Sequence, residues 1–128
     1  MPKERIHRLG DLQLRIMKIL WERREATVGE VHEGLADGKN LAYTTIATML
    51  RKMEAKGLVT HRAEGRSFVY LPKVAEADVS RSMADHLVDR LFAGSLTEAV
   101  THLLKTREVS RAELAALEKL IADRKRKL

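Results

Sequence analysis

Leu12, Ile16, Ile19 and Leu20 fall on one stripe when the chain is wound at helical pitch, and Trp21 extends that stripe. The pattern predicts a first helix from Asp11 to Arg24, with Asp11 as its N-cap. A second helix starts after Thr27, because Thr27 and Glu30 have the spacing at which each side chain satisfies the other residue's free backbone N–H. Ala26 and Val31 stand at the flanking apolar positions of that cap, and Val28, Val31 and Leu35 form the buried stripe. Asp37-Gly38-Lys39-Asn40 then reads as a turn. The next segment, LAYTTIATMLRKMEAKG, is a third helix ending near Gly57. Its Ile46, Met49, Leu50 and Met53 share one side. Thr44, Thr48 and Arg51 share the opposite side, flanked by Ala47 and Lys52. Three threonines and a tyrosine near the start of a helix are poor formers at exposed positions. Propensity does not account for them, whereas a working outer face does.

Two short β-branched and aromatic runs, LVTHR and SFVYL, follow on either side of a turn centred on Glu64-Gly65. They read as a β-hairpin, with Leu58, Val69 and Leu71 toward the core and Arg62 and Arg66 beside the turn. Pro72 closes the unit. Three helices and a hairpin in about 70 residues form the winged helix-turn-helix pattern. A helical bundle with a stray hairpin is one alternative, and a winged helix that contacts only protein is another. The expected fold is mainly α with a small β-hairpin: a winged helix-turn-helix N-terminal domain over residues 1–73, then a helical C-terminal dimerisation domain over residues 74–128.

The second half is helical throughout. Val79, Met83, Leu87 and Leu91 recur every four residues, and Gly94-Ser95 breaks the run. Ser95 with Glu98, and Ser110 with Glu113, repeat the capping-box spacing. The helices they open carry Leu96, Val100, Leu103 and Leu104, then Leu114, Leu117, Leu120 and Ile121. Three such helices in about 50 residues have too little interior to cover their own apolar stripes. A second copy of the same segment, related by a twofold axis, is the expected partner, and packing back onto the first half is the rival. Leu87, Leu91, Leu96, Val100, Leu103, Leu104, Leu114, Leu117 and Ile121 are the expected dimer residues.

Composition changes this picture in two ways. Aromatic residues are only 4% of a chain that is 45% hydrophobic, which favours an aliphatic helical core over a β-sandwich. The net charge of +6 is unevenly spread: 14 Lys and Arg face 9 Asp and Glu in residues 1–73, against 6 and 9 in residues 74–123, and Arg124 to Lys127 are all basic. The basic half is the half with the hydroxyl-rich helix, which points to nucleic acid first and an anionic membrane surface second. The absence of cysteine excludes disulfides, thiolate metal sites and cysteine nucleophiles. No apolar run is long enough to span a bilayer and the first residues carry no signal-peptide apolar region, so a cytoplasmic protein without membrane insertion is expected.

The candidate chemistry follows from the third helix. Tyr43, Thr44, Thr45 and Thr48 lie where a recognition helix presents residues to base edges in the major groove. Their hydroxyls donate and accept, and a threonine methyl can touch the thymine methyl. Arg51 and Lys52 suit phosphates, and Arg62 and Arg66 suit phosphates or the minor groove. An enzyme reading finds little support. The five histidines are out of helical reach of one another, and the chain has neither HExxH, nor GxSxG, nor a glycine-rich phosphate loop. No metal or cofactor is expected. A winged-helix adaptor that binds protein instead of DNA would put a large apolar outer face on the third helix, where this chain has Thr and Arg.

Leu9-Gly10, Leu12-Gln13, Met17 and Leu20-Trp21, then Ala42 to Thr45 with Thr48, Lys56 to Val59, and Glu64-Gly65-Arg66 with Tyr70, together make the first half resemble the N-terminal domain of the BlaI/MecI/CopY penicillinase-repressor family. The second half is similar to that family's dimerisation domain more loosely, in the LFAGS turn and in Ser110 to Ile121. The resemblance implies a bacterial transcriptional repressor that binds palindromic double-stranded operators as a homodimer and controls a β-lactamase or another antibiotic-response gene. It places Tyr43, Thr44, Thr45 and Thr48 on the recognition helix and Arg66 on the wing. It also implies a membrane-bound antibiotic sensor and a regulatory protease that cuts the dimerisation domain at an Asn-Phe bond. The corresponding stretch here reads Thr101-His102-Leu103, which departs from that cleavage chemistry. Copper-sensing members carry a cysteine-rich C-terminus, and the lack of cysteine excludes copper-thiolate sensing here.

Overall fold

The computed structural model describes residues 9–35 and 41–128, so the turn expected at Asp37 to Asn40 lies outside the described residues. Among the described residues the order is α1 (Asp11–Arg23), β1 (Ala26–Thr27), α2 (Val28–Gly34), α3 (Tyr43–Ala55), β2 (Val59–Glu64), β3 (Ser67–Pro72), α4 (Glu76–Phe92), α5 (Leu96–Thr106) and α6 (Arg111–Arg126). The chain divides into two compact units, Met1–His86 and Leu87–Leu128. The division falls inside α4.

In the first unit, the local signals in the sequence act as hydrogen bonds. The Thr27 hydroxyl accepts from the Glu30 N–H at 3.2 Å, and the Glu30 carboxylate accepts from the Thr27 N–H at 2.8 Å. The N-cap of α1 is Gly10 rather than Asp11, which sits in the first turn. The Gly10 N–H donates to Gln13 Oε1 at 3.4 Å, and Gln13 Nε2 donates to Met49 Sδ at 3.4 Å, so one buried side chain both closes α1 and reaches α3. The far end of α3 is a Schellman motif. The Leu58 N–H donates to the Met53 carbonyl and the Gly57 N–H to the Glu54 carbonyl, each at 3.0 Å. Gly57 has φ +82°, a conformation that L side chains rarely adopt.

The three strands form one antiparallel sheet in the order β1-β3-β2. Strand β1 was not foreseen: its two residues are too few to show alternation, and they pair with Tyr70 and Val69. In the hairpin, Glu64 pairs with Ser67, so the tip is Gly65-Arg66, one residue later than expected. Gly65 takes φ +60° there, at the first central position of the two-residue turn. A carboxylate clamp holds the wing to the body of the domain. Arg62 on β2 donates to both Glu25 oxygens at 2.8 and 2.7 Å and to Glu64 at 3.0 and 2.7 Å. The Arg62 guanidinium holds the Glu25 carboxyl below its ordinary value of 4.5, and the two carboxylates raise the pKa of Arg62.

Ile16, Met17 and Leu20 of α1, Val31 of α2, Ile46, Leu50 and Met53 of α3, and Val59 and Tyr70 of the sheet share one buried cluster. Val79 belongs to it too, and Met83 packs against it. The stripe on α4 is therefore split: its first two turns complete the winged-helix core. The Trp21 indole N–H, which donates to the Val74 carbonyl at 2.9 Å, holds the approach to that helix.

The second unit has a different character. Ser95 and Ser110 cap α5 and α6, each accepting from the N–H three residues on at 3.1 Å. Of residues 87–128, only Ala99 is buried. Leu87, Leu91, Leu96, Val100, Leu103, Leu104, Leu114, Leu117 and Ile121 are all exposed, from 36% at Leu117 to 69% at Leu91.

Replacing Leu50 by Ala should cost about 2–5 kcal/mol, because a fully buried side chain leaves a cavity. Gly57→Ala should cost about 1–2 kcal/mol from backbone strain alone, since a Cβ at Gly57 meets nothing within 4 Å. Urea unfolding followed by Trp21 fluorescence, at fixed protein concentration, reads both. The Glu25–Arg62 pair gives a signed acid dependence. Glu25 titrates lower in the folded chain, so its contribution is complete above pH 4.5 and is lost as pH falls through the depressed value. Wild type and Arg62→Ala should differ in urea midpoint at pH 7, and the difference should narrow as pH is lowered below 4.5. A difference that does not narrow on acidification would show that the pair does not govern the effect.

Candidate nucleic-acid interface

Helix α3 is held from behind. Ile46, Leu50 and Met53 are fully buried, which fixes the rotation of the helix about its axis. The opposite face carries Thr44, Thr48 and Arg51, flanked by Thr45 and Lys52, while Tyr43 stands at the helix start on the side of Leu50, and all six are exposed. Tyr43 is 54% exposed at the first helical position. Arg51 leans back one turn, donating to the Thr48 hydroxyl at 3.5 Å, at the outer limit of a hydrogen bond. The hydroxyl groups thus occupy the N-terminal half of the exposed face and the cations its C-terminal half. Lys52 makes no ion pair with another described residue.

The wing supplies two arginines in different states. Arg66 is exposed at the hairpin tip and has no ion pair among the described residues. Arg62 lies between Glu25 and Glu64, its charge shared by two carboxylates. Sequence reasoning missed these partners, because Glu25 is 37 residues away from Arg62 along the chain. The α1–β1 connection that brings it near was legible only once β1 was known to pair with β3.

A second contact that the sequence did not reveal couples the wing to α3. His61 Nδ1 lies 2.7 Å from Glu54 Oε1 and 2.9 Å from Oε2, so Nδ1 carries a proton and donates to the carboxylate. The imidazole stacks on Phe68 with centroids 4.3 Å apart and tilts against Tyr70 at 5.5 Å. Burial pushes the Tyr70 hydroxyl above its ordinary 10.0, and Glu54 adds to the rise while Arg51 opposes it. Tyr70 therefore stays a neutral phenol under the wing. Phe68 is exposed beside it. The His61–Glu54 contact ties the last turn of α3 to the middle of β2.

The arrangement suits a grooved polyanion. Hydroxyls can exchange hydrogen bonds with base edges in a wide groove, cations at the helix end can meet phosphates, and a tip arginine can reach a neighbouring backbone or minor groove. No helix among the described residues is long and apolar enough to cross a membrane.

Comparison with known proteins agrees with this geometry. The sequence profile of the penicillinase repressor family matches residues 9–123. The chain is 29% identical to the penicillinase repressor of Bacillus licheniformis over 122 residues, covering 95% of each chain. It is 35% identical to the transcriptional regulator BlaI of Mycobacterium tuberculosis over 121 residues, 93% of this chain and 86% of that protein. The solved DNA-binding domain of the repressor BlaI superposes with a TM-score of 0.51 at 36% identity, over 57% of this chain and 89% of that one. A profile match across nearly the whole sequence, together with relatives that align end to end, places this chain in the penicillinase repressor family.

Proposed function

We propose that this chain is a transcriptional repressor that binds operator DNA in the major groove through α3 and does so as a homodimer, controlling an antibiotic-response gene such as a β-lactamase. The observation that carries the proposal is the start and outer face of α3, where the hydroxyl groups of Tyr43, Thr44, Thr45 and Thr48 are exposed while Ile46, Leu50 and Met53 are fully buried. Membership of the penicillinase repressor family supports the same reading. So does the excess of positive charge in the half of the sequence that holds α3. A protein-binding adaptor needs a broad apolar surface on that helix, and Tyr43 is the one large apolar side chain exposed there.

Tyr43, Thr44, Thr45 and Thr48 read bases in this proposal, while Arg51, Lys52 and Arg66 hold phosphates. Arg62 braces the wing, and it reaches a phosphate only by releasing a carboxylate. The dimer forms through residues 87–128, where eleven large aliphatic side chains are exposed, nine of them the expected dimer residues; covering such a side chain from full exposure stabilises by about 1.5–3 kcal/mol, and by less here because those nine start at 36–69% exposed. Repression acts where the chromosome is, in the bacterial cytoplasm. A regulatory protease acting on the C-terminal domain would meet Thr101-His102-Leu103 inside α5, and so would need that helix to open locally before the backbone could enter an active site.

The test is binding of a duplex selected from a randomised pool, compared with poly(dI-dC). Raising salt from 50 to 200 mM should weaken binding by about 10³-fold or more if six phosphates are neutralised. Thr44→Ala or Thr48→Ala should relax preference at particular base pairs by about 1–3 kcal/mol, whereas Arg51→Ala should weaken all duplexes about equally. Affinity that is indifferent to salt would overturn the proposal. Sedimentation velocity checks the dimer separately. Leu103→Asp or Leu117→Asp should give monomers with much weaker binding to a palindromic duplex, and a variant that remained a tight dimer would move the interface elsewhere.

A further inference from the structure

Helix α3 starts without help from its own sequence. Its N-cap is Ala42, which has no side-chain acceptor, and its first turn has no acidic residue. The favoured N-cap residues, Ser, Thr, Asp and Asn, are absent at the one helix whose first turn faces outward to do the proposed recognition. The N–H groups of Thr45 and Ile46 donate to the Ala42 carbonyl at 3.0 and 3.3 Å, so the geometry of Ala42 decides where the helix begins.

What fixes Ala42 lies on α2. The carbonyl of Leu41, the residue before it, accepts from His32 Nε2 at 2.7 Å. A carbonyl oxygen has no proton to give, so Nε2 is the protonated nitrogen. The same imidazole meets the ring of Tyr43, the residue after Ala42, edge to face, with centroids 6.2 Å apart and planes at 64°. Leu41 itself packs against the core. One half-buried side chain therefore touches the residues on both sides of the uncapped position.

We propose that His32 is a positioning residue for recognition: through Leu41 it sets the path of the chain into α3, and through the ring contact it sets the direction of Tyr43. It takes the place of the missing cap, from outside the helix. This inference rests on the DNA-binding reading for its effect on base preference, though its effect on the free protein can be read without DNA.

Two variants separate the contacts. His32→Ala removes both. His32→Gln places an N–H donor at the same number of bonds from the backbone and supplies no ring. In the free full-length protein, His32→Ala should speed amide exchange at Thr45 and Ile46 about tenfold, the scale of one lost hydrogen bond, and His32→Gln should restore it. With DNA, His32→Ala should bind the pool-selected duplex about tenfold more weakly while poly(dI-dC) binding is unchanged. His32→Gln should recover part of that affinity but not the base preference opposite Tyr43. Wild-type exchange and wild-type discrimination in His32→Ala would overturn the inference. An equal loss on both DNAs with a lowered melting temperature would overturn it as well, since that marks a role in folding only. If wild type itself does not distinguish the two DNAs, the function proposed above fails, and the exchange data still decide whether His32 holds the start of α3.

Discussion

Ile46, Leu50 and Met53 occupy successive turns of a helix only thirteen residues long, and all three are completely buried. Three contacts spaced in this way leave a short helix no freedom to roll about its axis, so burial of one face dictates exposure of the other. The positions of Thr44, Thr45, Thr48 and Arg51 are a consequence of that constraint. None of these polar groups has to be held out by a contact of its own. The surrounding structure serves the same end. Gln13 reaches α3 through Met49, the Schellman turn at Gly57 folds Leu58 back beside Met53, and His61 ties Glu54 to the wing.

The demands of the core also account for a chain that divides inside a helix rather than at a loop. Core residues are needed beneath the sheet, and α4 supplies Val79, with Met83 packed at the edge. Beyond His86 the helix continues with Leu87 and Leu91 exposed, and α5 and α6 add further uncovered aliphatic residues. An α-helix carries its hydrogen bonds within itself, so it can serve one core at its start and a different surface at its end without a linker. The Trp21–Val74 hydrogen bond sits just before this helix and anchors it to the first unit.

Much of this was legible in the sequence because it is local. The cap at Thr27 and Glu30, the serine caps at Ser95 and Ser110, the αL glycine after α3 and the two faces of α3 all follow from spacings of three or four residues. The features that were not legible are those that depend on long separations or very short elements. Strand β1 has only two residues and is defined by its partners Tyr70 and Val69. The clamp on Arg62 requires Glu25, brought close by that strand. The role of Val79 could not be told from that of Leu87, because both lie on one continuous stripe and only the tertiary arrangement separates them. The hairpin tip moved by one residue for a related reason: register is set by cross-strand pairing, and a glycine marks a turn without fixing its centre.

The contrast between the two wing arginines shows how charge is allotted on this surface. Both were equal candidates in sequence, each exposed and each beside the turn. Arg62 meets Glu25 in bidentate geometry and donates twice to one oxygen of Glu64, so its charge is spent within the protein. Arg66 sits at the tip, makes no ion pair with either carboxylate, and keeps its charge available to a ligand. A guanidinium that holds the wing must be neutralised in place, and one that seeks a phosphate must not be. The two-residue turn at Gly65 separates these needs by placing one arginine before the bend and the other within it. On this argument the wing's reach is set by Arg66, and its stiffness by Arg62 and by the stack of His61 on Phe68.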